Sequence, residues 1–384
     1  MDDTGELADS EVWVLGALQC VLWGGVYYSF GVLQSHMVED LRSDKVAISG
    51  AFSLGLLAAA GTAPWVGRLL DRGLAVSVLR WGGWGTVLGL ALWSRVGTLG
   101  ELYAAWALLG AFMAAGLYES TFSMVIRSSP PGPARARHLT LVTLVGGLAS
   151  VVCAPWIAAM AERRGWRVAL LGAAGASAAA MVLVERFVLR RRAPATLEGP
   201  LPAKESIHKR GTTLLVAAGV AGSLAAVAVA THLVPTLRER GATAHEAAWG
   251  LGLFGLSQLP GRFFLRNFAH RLSFLGWLLI PGTLQIFGLV GLALELPWRP
   301  SLVAIVALGV GSGLQTLARP FLALRAYGVA GAGRGSGGVV SAQNLARAAA
   351  PLAVAFVAER LSYSVAFTGL ALVWAAVCCV AFID

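Results

Sequence analysis

The sequence predicts an all-α polytopic membrane protein, with twelve transmembrane helices in two pseudo-symmetric six-helix halves. Three observations predict it. The 384 residues are 57% hydrophobic and only 13% charged, with a mean hydropathy of +0.70, whereas soluble globular chains carry roughly 25% charged residues. The apolar residues fall in repeated runs of about 20, the length that crosses a bilayer, separated by short charged breaks. The longest polar break, Arg190 to Arg210, divides those runs six and six.

Taken in order, the spans are read at 12–34, 46–66, 74–94, 101–126, 139–160 and 167–188 in the first half. In the second they are read at 212–236, 244–264, 272–293, 300–323, 336–357 and 361–382. The domain reading is therefore an N-terminal half at 1–189, a cytoplasmic linker at 190–211 and a C-terminal half at 212–384. After the second span comes a charged turn, Gly67-Arg68-Leu69-Leu70-Asp71-Arg72-Gly73. Its glycines allow close helix approach, and Asp71 is placed to cap a helix or pair with a neighbouring arginine. Gly261-Arg262-Phe263-Phe264-Leu265-Arg266 repeats the pattern 194 residues later, after the second span of its own half. Gly67, Arg68, Asp71, Arg72, Gly261 and Arg262 are thus expected to form loops that control inward closure. The run from Gly331 to Gly338 reads as a flexible turn before the eleventh helix. It lacks the preceding strand and the Lys-Ser/Thr of a phosphate-binding loop.

Charge sets the orientation. Loops after even-numbered spans, with the helix ends that flank them, hold eighteen Lys and Arg, and those on the opposite side hold ten. Excess basic charge marks the cytoplasmic side, so both termini are expected there. The net charge of +10 does not make a nucleic-acid surface, because the basic residues are scattered over interhelical loops. Cys20, Cys153, Cys378 and Cys379 all lie in apolar runs without metal-ligand spacing, so neither a metal nor a disulfide framework is expected. The acidic N-terminus (Asp2, Asp3, Glu6, Asp9, Glu11) lacks the basic start of a cleaved signal peptide. Abundant alanine, glycine and arginine point to a bacterial source and its cytoplasmic membrane.

Several stretches carry a family likeness. They are Tyr28-Ser29-Phe30-Gly31-Val32, Ala51-Phe52-Ser53-Leu54, Gly116-Leu117-Tyr118-Glu119, Gly165-Trp166-Arg167, His232-Leu233-Val234-Pro235, Arg319-Pro320 and Ala346-Arg347-Ala348-Ala349-Ala350-Pro351. With the Gly-x-x-x-Asp-Arg turn, they resemble the major facilitator superfamily, in the bacterial branch related to the monocarboxylate porters. The resemblance covers nearly the whole chain. It implies a secondary transporter working by alternating access, without a cofactor and active as a monomer; fold and general role carry over, and a proton–lactate mechanism does not. The chain departs from the porters in three places. Gly73-Leu74-Ala75-Val76 replaces the Gly-Arg-Arg that often completes the turn. Leu22-Trp23-Gly24-Gly25-Val26 replaces Asp-Gly-Gly-Trp-Gly-Trp, and the stretch from Gly250 to Pro260 has no Asp-Arg pair.

Charges inside spans cost on the order of 3 kcal/mol or more and are functional candidates by default. Glu119, His232, Arg319 and Arg347 qualify. An arginine stays charged and presents a planar fork to a carboxylate. Arg347 or Arg319, with Asn344 and Gln315 beside them, is expected to attract an anionic group of the solute. Glu119, or His232 with its titration near neutrality, is expected to carry the coupling proton. The competing reading pairs Glu119 with an arginine for structure and lets Arg319 reach the headgroups. Gln19, Trp23 and Tyr27 recur at helical spacing along the first span, and with Tyr118 they read either as a cavity wall or as a packing stripe.

The expected partners are a small solute, a proton and the lipid bilayer. A membrane enzyme would need a nucleophile with its base or a ligand cluster, and no His-x-x-Glu-His or Gly-x-Ser-x-Gly occurs. The solute is read as a monocarboxylate-like organic anion, with efflux of an amphipathic drug or metabolite as the alternative.

Overall fold

The computed structural model describes residues 7–190, 209–265 and 271–382. Residues 191–208 of the linker, residues 266–270 at the end of the second arginine turn and the side chain of Arg262 lie outside this description. The described chain is helical, with no strand. The first span joins α1 (Asp9–Trp23) to α2 (Ser29–Asp40) through a π-helical segment, Gly24–Tyr28. Next come α3 (Lys45–Asp71) and α4 (Ala75–Trp93). The fourth span is broken into α5 (Leu99–Gly116) and α6 (Tyr118–Ser128), and the fifth into α7 (Pro133–Gly147) and α8 (Ala149–Arg164). The sixth, α9 (Trp166–Val184), runs into a second π-helical segment, Glu185–Leu189. Then follow α10 (Lys209–Glu239), the broken pair α11 (Ala244–Leu256) and α12 (Gln258–Leu265), and α13 (Phe274–Ala293). The tenth and eleventh spans form one bent helix, α14 (Trp298–Arg360), and α15 (Tyr363–Phe382) is the twelfth. Eleven segments of the described residues are long and apolar enough to cross a membrane. The eighth span is interrupted at Ser257.

Local chemistry explains most ends. Asp44 Oδ1 accepts from Ala47 N at 2.7 Å to start α3. Thr243 and Glu246 form a reciprocal capping box at α11. Two expectations are corrected here. Gly67, Arg68 and Asp71 are not loop residues but the last turns of α3, and Gly261 and Arg262 lie within α12. The helix stops only at Gly73 (φ +83°). There Gly73 N donates to Leu70 O and Leu74 N to Leu69 O, a pairing that ends helices at a left-handed glycine. Likewise the Gly331–Gly338 run is helical, and the bend lies earlier, at Gly328 (φ +68°, ψ 179°). Gly337 is buried against α3, and the run continues as helix without forming a turn. A side chain at Gly337 would collide with the backbone of Ala63 and Pro64.

Two compact units result. One holds Met1–Lys204 with Val329–Ser341, and the other Glu205–Gly328 with Ala342–Asp384. In the first, Trp93 and Trp106 are fully buried and meet edge to face at 4.8 Å, with Phe30 and Phe52 stacked beside them. Gly82 and Gly116 bring α4 and α5 to backbone contact. Ion pairs tie the helix ends. Arg80 makes two bonds to Glu185, and Asp9 meets Arg137 and His138. Asp40 holds Arg167, whose second amine reaches Val96 O. In the second unit, Leu289, Leu292, Ile305, Leu308, Phe367 and Trp374 form the core. Arg240 links Ser301 Oγ and the Leu292 carbonyl, and burial lowers its pKa from the usual arginine value.

Pro64 cannot supply the N–H that would bond Ala60 O, four residues back. Ser341 Oγ donates to that carbonyl at 2.7 Å. The hydroxyl therefore replaces the donor that proline removed. Ser341→Ala is expected to lower stability by about 1 kcal/mol. In a Pro64→Ala background, where the helix regains its own donor, the cost should shrink towards zero. A thermal double-mutant cycle in detergent checks this, and additive costs would contradict it.

Candidate functional site

In the first unit the polar site grows from the broken fourth span. Leu117 is extended (φ −78°, ψ −158°), which interrupts the hydrogen-bond ladder between α5 and α6. Side chains serve the carbonyls at the gap. Ser120 Oγ donates to Ala115 O at 2.7 Å, and Gln19 Nε2 to Gly116 O at 3.1 Å and Thr121 Oγ1 at 2.9 Å. The break places Tyr118 and Glu119 in the first turn of α6, where helix polarity favours a carboxylate. Glu119 is 7% exposed and Gln19 fully buried. Trp23 packs against Tyr27 at 5.4 Å and Tyr118 at 5.3 Å, and Tyr118 stacks on Phe122 at 5.0 Å. The π-helical segment carries Tyr27 in this cluster, and Ser29 Oγ braces it by donating to Gly24 O. Trp23, Tyr27 and Tyr118 thus form one aromatic cluster, with Gln19 a turn away on α1 and Glu119 next to Tyr118 in sequence.

The second unit holds the arginines. Arg319 Nη1 approaches Gln343 Oε1 at 3.5 Å, and Arg347 Nη1 donates to Asn344 Oδ1 at 3.1 Å. Gln343 and Asn344 are adjacent and nearly buried, at 6% and 5% exposure. Each guanidinium group thus has a neutral amide oxygen among its partners. Gln315 sits in a separate chain of contacts. It accepts from Gln285 Nε2 at 3.0 Å and donates to Ala218 O at 2.5 Å, while Trp374 Nε1 donates to Gln285 Oε1 at 3.3 Å. His232 Nε2 meets Pro351 O at 3.1 Å, and its ring lies 5.6 Å from that of Tyr363. Because a carbonyl only accepts, the proton of the neutral imidazole is on Nε2. Tyr363 and Thr236 also line a cavity of about 640 Å³ with Glu239, Arg240 and Glu295.

Gln343, Gln285, Trp374 and Thr121 were missed by sequence reasoning, since uncharged side chains in apolar runs give no signal of their own. The breaks had weak signals in Gly24-Gly25, Gly116 and Pro64. Of the six residues at the two arginine turns, Arg68 and Arg72 are exposed and Gly67 is buried. Asp71 offers its backbone carbonyl to Arg127 Nη2 at 3.2 Å.

Gln315 spends its amide on α10 and α13. Gln315→Leu is therefore expected to cost about 1–3 kcal/mol through the stranded Gln285 amide, with solute affinity unchanged. Thermal unfolding alongside ligand titration checks this, and a large affinity loss would place Gln315 in the binding site.

A family model, the Major Facilitator Superfamily, matches residues 15–351. Among curated proteins no sequence matches. Among solved structures the fold is similar to that of a proton:xylose symporter, with TM-score 0.73 at 11% identity, covering 98% of this chain and 96% of that one. It is similar to a bacterial homologue of the iron transporter ferroportin in its outward-facing state, with TM-score 0.72, 16% identity and 98% of each chain covered. It is also similar to the human organic anion transporter, with TM-score 0.70, 15% identity and coverage of 97% and 98%. At these identities the likeness is one of fold.

Proposed function

The chain belongs to the Major Facilitator Superfamily, and from that membership we propose a secondary active transporter that moves a small, monocarboxylate-like organic anion by alternating access, with a proton as coupling ion. The family is one of solute transporters and not of enzymes. One observation carries the choice of an anion. Arg319 and Arg347, inside membrane-length helices, are oriented by the amide oxygens of Gln343 and Asn344. An arginine stays charged and presents a planar fork that matches a carboxylate. Glu119, in the first turn of α6, is the first candidate for the coupling proton, and His232 is the second. In this proposal the two six-helix halves, 1–189 and 212–384, are joined by the linker 190–211. The transporter acts as a monomer in a bacterial cytoplasmic membrane, with both termini in the cytoplasm. The helix ends at Gly67–Arg72 and at Gly261–Arg262 serve the inward gate.

The aromatic cluster of Trp23, Tyr27 and Tyr118 supports a second reading, efflux of an amphipathic drug or metabolite. Ligand-induced thermal stabilisation of purified protein separates the two without assuming a direction of transport. Organic carboxylates are expected to stabilise the wild type. Arg347→Gln should weaken them on the order of a hundredfold, since losing one partner of a buried charge pair costs about 2–5 kcal/mol. Stabilisation by uncharged or cationic amphiphiles alone would move the protein to efflux.

A further inference from the structure

Cys20 and Cys153 lie in the first and fifth spans, on segments of membrane length, and both are half-buried free thiols. The fifth span reaches the first here because Gly24 has no side chain. A Cβ at that position would collide with the Cβ and Sγ of Cys153. In that space the Cys153 thiol donates to the Cys20 carbonyl at 3.7 Å, one helical turn before Gly24. The two thiols also lie within hydrogen-bonding reach of each other. A disulfide forms only between backbones that already approach closely, and the Gly24 contact supplies that approach. Beside Cys153 lies an apolar crevice of about 130 Å³ between α1, α8 and α9, lined by Val21, Gly25, Val152, Trp156 and Ala173. Val152 and Trp156 are exposed, and exposed apolar side chains on a membrane-length helix meet lipid.

We infer that Cys20 and Cys153 are a redox modification site, at which an organic hydroperoxide arriving from the bilayer joins them as a disulfide that staples the first span to the fifth. The crevice selects the oxidant. Its apolar lining favours an alkyl hydroperoxide from the lipid over hydrogen peroxide from water. The Cys153 sulfur, which borders the crevice, takes the terminal oxygen. The O–O bond breaks, the alcohol leaves with the thiol proton, and a sulfenic acid remains. The Cys20 sulfur then displaces that oxygen, so that the S–S bond forms and water leaves with the second proton. A dithiol reductant reverses the step by exchange. The staple falls one turn before the π-helical segment Gly24–Tyr28, and it restrains the backbone that holds Tyr27 against Trp23. Both cysteines belong to the first unit, and the site does not depend on which solute is moved.

The experiment treats the full-length protein in detergent with cumene hydroperoxide or with hydrogen peroxide, blocks the remaining thiols and maps unreduced peptides by mass spectrometry. Glutathione in the same sample gives the reference rate for each oxidant. The expected product is a Cys20–Cys153 cross-link that dithiothreitol removes. Relative to glutathione it should form on the order of tenfold faster with cumene hydroperoxide. Gly24→Ala, which pushes the helices apart, should slow it. Cys20→Ser replaces one atom, should leave Cys153 oxidised only to its acids, and is the deciding variant. Backbone hydrogen exchange at Gly24–Tyr28 should slow about tenfold on oxidation of the wild type and stay unchanged in Cys20→Ser. Thiols that remain reduced, or that oxidise separately without a cross-link, overturn the inference. Equal relative rates with the two oxidants overturn it by removing the bilayer route, and a cross-link that leaves exchange unchanged overturns it by removing the restraint.

Discussion

Inside a bilayer no water is at hand to satisfy backbone N–H and C=O groups, so every interruption of a helix must be repaired by the protein itself. That constraint organises this molecule. Pro64 strands a carbonyl, and Ser341 supplies the donor. The break at Leu117 interrupts a ladder, and Ser120 and Gln19 supply donors. The Gly24–Tyr28 segment widens the helix, and Ser29 braces it. Each repair brings a polar side chain into the membrane interior. The polar groups of the proposed site in the first unit are in large part the same groups that hold its irregular backbone.

The two units handle charge differently. In the first, the buried carboxylate of Glu119 sits where a half-helix begins. In the second, two arginines lean on neutral amides, and a glutamine-tryptophan chain clamps α10, α13 and α15 around α14. The proposed anion selectivity rests on these two arginines, each a permanent charge inside a membrane-length helix.

Much of this was legible in the sequence. The bilayer-length apolar runs and the central polar break led to the all-helical membrane fold, because hydrophobic length is a direct physical requirement. Glu119, His232, Arg319 and Arg347 stood out for the same reason, as charges in costly places. What stayed hidden was conformational. Gly67 to Asp71 and Gly331 to Gly338 read as turns because glycine and charge are turn residues in water, yet both stretches are helical. At Gly67 and Gly337, both buried, packing outweighs the propensity of a glycine. Gln343 and Gln285 were invisible, since a glutamine becomes informative only when its partner is known. Gln19 was visible as one of a stripe, but the direction of its amide required Gly116 and Thr121 to be in place.

The central claim is movement of an organic anion across the membrane, and flux in proteoliposomes tests it most directly. Labelled lactate would be supplied outside, with an inward proton gradient imposed and then removed by an ionophore. The account predicts uptake that rises with the gradient and disappears in Arg347→Gln. Gradient-independent leakage, equal in wild type and variant while the protein is folded and inserted, would contradict it.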